Sequence, residues 1–163
     1  MKGTHDKFIS TPHILQNQAN AAHRLGIKKL KVNAALTNPV IDPHNGYTGG
    51  IVWPTYGYTK DLERISDWDD VQLAEAIAIA RRNNPDLHAI DDSELTLNHL
   101  LDSKEGMDWY TQNEPHRHGG KNYLNATSGH MVFHTDPNSI SHRILARKVR
   151  RLEQNAASRS NPS

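Results

Sequence analysis

The sequence predicts a mixed α/β (α+β) chain with few strands and a helix-rich C-terminal half. Three observations predict it. Residues 11–25 carry apolar side chains at helical spacing, residues 30–36 alternate apolar and polar at period two, and residues 66–157 read as four helices with one short strand between them. At 163 residues the chain is about one domain, large enough to bury roughly two thirds of its unfolded surface without staples. We place that domain at 1–157, as an α/β segment (1–65), a helical segment (66–111) and a loop, short strand and basic helix (112–157), with 158–163 as a flexible tail.

The first helix is signposted at both ends. Thr11 suits the N-cap, Pro12 suits a first position whose N–H has no helical partner, and Gly26 suits a left-handed stop. Ile14, Leu15, Ala19, Ala22 and Leu25 form its predicted core face. In the strand that follows, Leu30, Val32, Ala34 and Leu36 point one way and Lys29, Lys31 and Asn33 the other, which predicts one wet face. Turn-forming pairs (Asn38-Pro39, Asp42-Pro43, Asn45-Gly46, Gly49-Gly50) fill the loop from Thr37 to Gly50. Ile51 to Tyr56 then read as a short helix or turn interrupted by Pro54, and Gly57 permits a sharp reversal into Tyr58.

Ser66 or Asp67 is the expected cap of a helix reaching Asn83, with Asp67, Asp69 and Asp70 in its first turn and Arg81 and Arg82 in its last, matching the helix dipole. Its expected buried stripe is Val71, Leu73, Ala74, Ile77 and Ala80, and Pro85 blocks continuation. A helix from Asp92 or Ser93 buries Leu95, Leu97, Leu100 and Leu101. Another, Ser103 to Tyr110, is weakened by Gly106 and carries Trp109 as a packing anchor. Residues 112–128 read as open loop and Gly129 to His134 as a short strand. The last helix runs from Ile140 to about Ala157, with Ile140, Ile144, Leu145, Val149 and Leu152 on one face and Arg143, Arg147, Lys148, Arg150 and Arg151 on the rest.

Composition narrows the chemistry. With no cysteine, disulfides, thiolate metal sites and a cysteine nucleophile are excluded. The N-terminal residues hold no apolar h-region and no run of about 18 apolar residues occurs, which predicts a cytoplasmic protein with no membrane partner. Charge is segregated: residues 1–60 carry seven cations against two carboxylates, 61–108 four against thirteen, 109–140 two against two, and 141–163 six against one. Such blocks either attract an anionic partner to the basic ends or satisfy one another across the fold, and the second is the simpler expectation.

Helix, strand and then the run Trp53-Pro54-Thr55-Tyr56-Gly57-Tyr58 resemble the second half of the GNAT acetyltransferase fold, where an aromatic-x-x-x-Gly-aromatic signature closes the domain. Asn45-Gly46-Tyr47 and Trp53-Pro54 are closer to GNAT-related domains of phage and polymorphic-toxin proteins. The likeness covers about residues 1–65. It implies a partial GNAT-like sheet, acyl-CoA as cofactor and a small-molecule or protein partner, with a virion-associated location as the variant of the cytoplasmic one. It assigns pyrophosphate binding to the turn at Gly3 and Thr4 of Gly3-Thr4-His5-Asp6, which has one glycine and a carboxylate where the family has a Gly-rich turn. Trp53 stands where the family has the tyrosine that protonates the leaving thiolate. Trp53 is thus carried over as a cofactor contact, and the acid falls to Tyr56 or Tyr58. The strands that hold the acceptor would precede Met1, so the resemblance implies a shortened, degenerate relative with acyl transfer left open.

A second constellation lies further on. His116, His118, His130 and His134 place four imidazoles within 19 residues, and imidazole is both a common metal ligand and the usual acid–base group near neutral pH. No His-Glu-x-x-His pattern and no cysteine accompanies them, so no metal site is assigned and surface histidines are the expectation. Ser128-Gly129-His130-Met131-Val132-Phe133 with the basic helix behind it is similar over about 30 residues to the strand and final helix of HicA-like RNA-cleaving toxins. That likeness implies His130 or His134 as catalytic base, with Arg143, Arg147, Lys148, Arg150 and Arg151 on RNA or DNA phosphates. An interaction protein without catalysis is the third reading.

Overall fold

The computed structural model describes residues 11–35, 49–115, 121–123 and 125–160. Six α-helices occur among them: α1 (Thr11–Arg24), α2 (Gly49–Thr55), α3 (Asp70–Asn83), α4 (Leu97–Leu101), α5 (Lys104–Tyr110) and α6 (Ile140–Ser160). Four strands accompany them, β1 (Lys29–Ala34), β2 (Asn113–Pro115), β3 (Lys121–Tyr123) and β4 (Gly129–His134). The chain is a mixed α/β fold whose C-terminal half is mostly helical, as expected from the sequence.

β1 and β4 pair antiparallel, with Lys29 opposite His134, Val32 opposite Met131 and Ala34 opposite Gly129. Thr59 extends the sheet on the other side of β4, exchanging backbone bonds of 2.8 and 2.9 Å with Val132. Alternation puts Leu30, Val32, Ala34, Met131 and Phe133 on one face, where they meet Leu15 and Ala19 of α1, the Trp53–Tyr58 corner and Leu145 of α6. Helix, strand and tryptophan-proline corner thus share one core. Within it Trp53, Tyr58 and Phe133 form a ladder, the first pair edge-on at 5.1 Å between centroids and the second tilted at 5.4 Å, and Phe133 in turn meets the His142 ring edge-on at 5.1 Å.

A second core is helical. Leu62, Ile65, Trp68, Leu87 and Leu95 join α3, α4, α5 and Ile144 of α6. Leu95, Leu97, Leu100 and Leu101 are fully buried, each contributing roughly 2 kcal/mol over an exposed position. Trp109 packs edge-on against Trp68 at 5.3 Å and its indole N–H donates to Glu75 at 3.1 Å, the anchoring role expected of it. Adjacent residues of α6, Ile144 and Leu145, enter the two cores separately, so this one helix joins them.

Several sequence expectations are corrected. Thr11 is already helical rather than the cap. Ile14 and Leu25 are 44% and 78% exposed, because only Leu15, Ala19 and Ala22 of the expected face meet a partner element. The cap of α3 is Asp69, whose carboxylate accepts from Gln72 N at 2.8 Å while Gln72 returns a bond to Asp69 N at 2.9 Å. The inner face of α3 is Ala76, Ile79 and Ala80, flanked by Leu73 and Ile77, and Val71 and Ala74 are exposed. Residues 92–94 form a 3₁₀ turn and α4 begins only at Leu97, capped by Thr96. Part of the expected open loop at 112–128 is the antiparallel hairpin β2–β3. The last helix extends to Ser160, three residues beyond the expected end and into the expected tail.

Candidate nucleic-acid interface

α6 owes its position to the turn before it. The Ser139 hydroxyl donates to His134 O at 2.8 Å and accepts from His142 N at 3.2 Å, capping the helix beside the end of β4. Ser141 Oγ accepts from His134 N at 3.1 Å. The buried Asn98 amide, oriented with its oxygen toward α6, accepts from Ser141 Oγ at 2.9 Å and Ser141 N at 3.2 Å while its nitrogen donates to Gly57 O at 3.1 Å. Strand, corner, α4 and α6 are therefore tied at one buried polar node.

With Ile144, Leu145 and Val149 turned inward, the cations of α6 fall on its outer faces. Arg143 forks onto Asp102, with Nε 3.0 Å from Oδ1 and Nη2 2.8 Å from Oδ2. Arg147 adds 2.7 Å to the same carboxylate and 2.8 Å to Asp102 O. Burial alone raises the Asp102 carboxyl, but the hydrogen bonds and charges of the two guanidiniums outweigh it and hold the group below the ordinary carboxylate value. Lys148 is half-buried, its nitrogen 5.8 Å above the Tyr56 ring centroid. Burial, and then the Arg151 charge, pull its pKa down. Arg150 and Arg151 are exposed, and among the described residues Lys148, Arg150 and Arg151 have no carboxylate within 4.0 Å. A groove of about 530 Å³ opens beside them, lined by Leu101 and Met107 together with Ile144, Arg147, Lys148 and Arg151 of α6.

Among the described residues, little of the expected cross-block charge pairing is found. Asp102 is the carboxylate of the acidic middle segment that answers the basic C-terminal block. Arg81–Asp92, Arg82–Glu105, Arg64–Asp61 and Lys104–Asp108 all close within the middle segment itself.

Of the other sequence-derived site residues that are described, Tyr56 meets this face through Lys148. Tyr58 is buried between Trp53 and Phe133, and burial raises its pKa, as it does for the less enclosed Tyr56. The 53–58 corner gives the groove only Thr55, and Gly57 is pressed against Ser141. Gly3, Thr4, Asn45-Gly46-Tyr47, His116 and His118 lie outside the described residues. His130 is exposed opposite Asn33. Because Met131 and Phe133 face α6 in the core, alternation turns His130 to the opposite side of the sheet from the cationic helix. His134 is opposite Lys29, and burial first, then the Lys29 charge, lower its pKa. Among the described residues no group of three or more His, Cys, Asp or Glu is arranged to hold a metal ion, and no helix is long and apolar enough to cross a membrane.

Sequence reasoning missed Asp102. It sits 41 and 45 residues from its arginines, and no local spacing announces such a pairing. The chain matches no family model, no curated protein and no solved structure.

Three histidines, His142 buried and His99 and His134 partly so, are expected to give the fold a pH dependence. His99, His134 and His142 all lie below the ordinary 6.5, burial being the leading cause in each, although Asp102 opposes it at His99 and the Thr135 carbonyl, 3.0 Å away, opposes it at His142. The unfolded chain therefore takes up these protons first, so stability is complete above the unfolded value, declines as pH falls through 6.5, and levels off below the folded values. Urea midpoints are expected to drop between about pH 7.5 and about pH 5. His142→Gln, which keeps a donor for Thr135 O, is expected to flatten that slope; identical slopes for both proteins would show that His142 is not held neutral.

Proposed function

We propose that the protein binds nucleic acid through the outer face of α6 and does not cleave it with His130. One observation carries the reading: five cations lie within nine residues of one helix, and among the described residues the carboxylate paired with them, Asp102, is engaged by two. Lys148, Arg150 and Arg151 remain to neutralise phosphates. From Arg143 to Arg151 the helix spans about 12 Å, comparable to three or four phosphate steps of about 3.4 Å along one strand of a duplex. The placement of His130 on the other face of the sheet argues against the toxin-like reading, which requires a base beside the cations.

Fluorescence anisotropy with labelled RNA and duplex DNA tests this. Three phosphate contacts predict a log–log salt slope of about −2.7 on duplex DNA, or an affinity loss of about 40-fold between about 50 and about 200 mM salt. Arg150→Ala with Arg151→Ala is expected to reduce the slope magnitude by about 2, and His130→Ala to leave affinity unchanged and the RNA intact. RNA cleavage that disappears in His130→Ala would restore the nuclease reading. Indifference to both nucleic acids combined with heat stabilisation by CoA would favour the acyl-CoA-type ligand that the GNAT resemblance implies. Indifference to all three leaves a protein partner.

A further inference from the structure

We propose that the groove between α5 and α6 is a binding site for a small organic anion, one carboxylate or phosphate monoester group on an apolar body. The site goes beyond the nucleic-acid reading, because a polynucleotide crossing the surface of α6 has no use for the apolar lining.

The charges on the groove wall do not cancel. Lys104 pairs with Asp108 and Arg147 with Asp102, which leaves Lys148 and Arg151 as a surplus of two positive charges on the wall. The neutral polar groups there are already occupied. Thr55 Oγ1 donates to Val52 O at 2.7 Å, Thr111 Oγ1 to Met107 O at 2.7 Å, and Ser103 Oγ accepts from Gly106 N at 3.0 Å. The two cations are what the wall offers a ligand. Lys148 is held half out of water with its nitrogen over the Tyr56 ring, where lost hydration is repaid in part by the ring and would be repaid more fully by an anion. Arg151 supplies a planar fork suited to either carboxylate or phosphate.

Beneath the cations, the buried Leu101 and Ile144, the latter one turn before Lys148 on α6, supply an apolar floor, and the adaptable thioether of Met107 on α5 lines the groove as well. A volume of about 530 Å³ falls within the range of small-ligand sites. Cations above an apolar floor select a ligand that carries both features: inorganic phosphate leaves the floor wet and a neutral apolar molecule leaves the cations unanswered.

Amide NMR titration of the full chain decides the matter, with phenyl phosphate, 4-phenylbutyrate and inorganic phosphate as probes. Saturable shifts at Met107, Thr111 and Ile144 are expected with one or both organic anions, at an affinity at least about tenfold above that of inorganic phosphate because a ring is buried. The tighter of the two organic probes assigns phosphate ester or carboxylate, and equal binding assigns either. Lys148→Met is expected to weaken binding at least about fivefold. Arg151→Met is expected to do the same and carries the test if Lys148→Met lowers the melting temperature. Absence of groove shifts, equal shifts from inorganic phosphate, or full binding by the folded variants would overturn the site. Arg150 is outside the groove wall, so Arg150→Ala should weaken nucleic-acid binding and leave probe affinity unchanged. Loss of the probe result with a retained salt-dependent nucleic-acid complex removes the groove alone, and the converse removes the interface alone.

Discussion

Gly106→Ala is expected to lower stability by about 3 kcal/mol or more, opposite in sign to the gain of about 1 kcal/mol that alanine brings to an exposed helix interior. The residue lies within α5, where sequence propensity alone marks it as a weakness. A Cβ built there would stand 1.8 Å from Leu100 O and 2.8 Å from Leu100 C. Both are backbone atoms of α4, which carries three fully buried leucines and cannot retreat without opening the helical core. Gly106 N also donates to Oγ of Ser103, the N-cap of the same helix, at 3.0 Å. Urea denaturation at fixed pH measures the effect. A stabilised variant would mean that α5 does not lie against Leu100.

Gly57→Ala is expected to cost about 4 kcal/mol, combining a left-handed backbone at about 1–2 kcal/mol with overpacking of about 1–3 kcal/mol. Its φ is +99°, and a Cβ would fall 2.3 Å from Ser141 O and 2.8 Å from the Phe133 ring. Gly26 separates the two causes: its φ is +82° with nothing within 4 Å of the would-be Cβ. Gly26→Ala should therefore cost only the conformational part, about 1–2 kcal/mol. Equal losses at the two positions would show that the corner relaxes away from α6 without penalty. Because Gly57 joins the sheet core to the N-terminus of α6 through Asn98 and Ser141, its substitution is also expected to weaken binding at α6.

How far the sequence could be read depended on the range of the interactions involved. Local signals held well. The stop at Gly26, the alternation of β1, the break at Pro85 and the apolar stripe of α6 each depend on neighbours within a few residues, and each stands in the structure. The misplaced features depended on distant partners. Whether Ile14 or Val71 is buried is decided by which element packs alongside, and periodicity alone leaves the stripe free to rotate by a residue. Ser66 and Asp67 satisfy the same cap chemistry as Asp69, but Asp67 is used elsewhere, accepting from Ser128 N at 2.8 Å. The candidate interface was legible as a row of cations on α6. Which of them are neutralised was not, because Asp102 reaches them through the tertiary fold. Tyr56 and Tyr58 were singled out for proton transfer, whereas their surroundings make one the cushion of Lys148 and the other part of an aromatic ladder.

The pairing of β1 with β4 has a consequence for biosynthesis. The two strands are about a hundred residues apart in sequence, so closing them demands a large loop entropy before any sheet contact is gained. At about 5–20 residues per second, a nascent chain carries the apolar side of β1 without its mate for roughly 5–20 s after that strand has left the ribosome. Throughout this interval Leu30 and Val32 are open to chaperones, and α1 has neither β4 nor α6 to lean on.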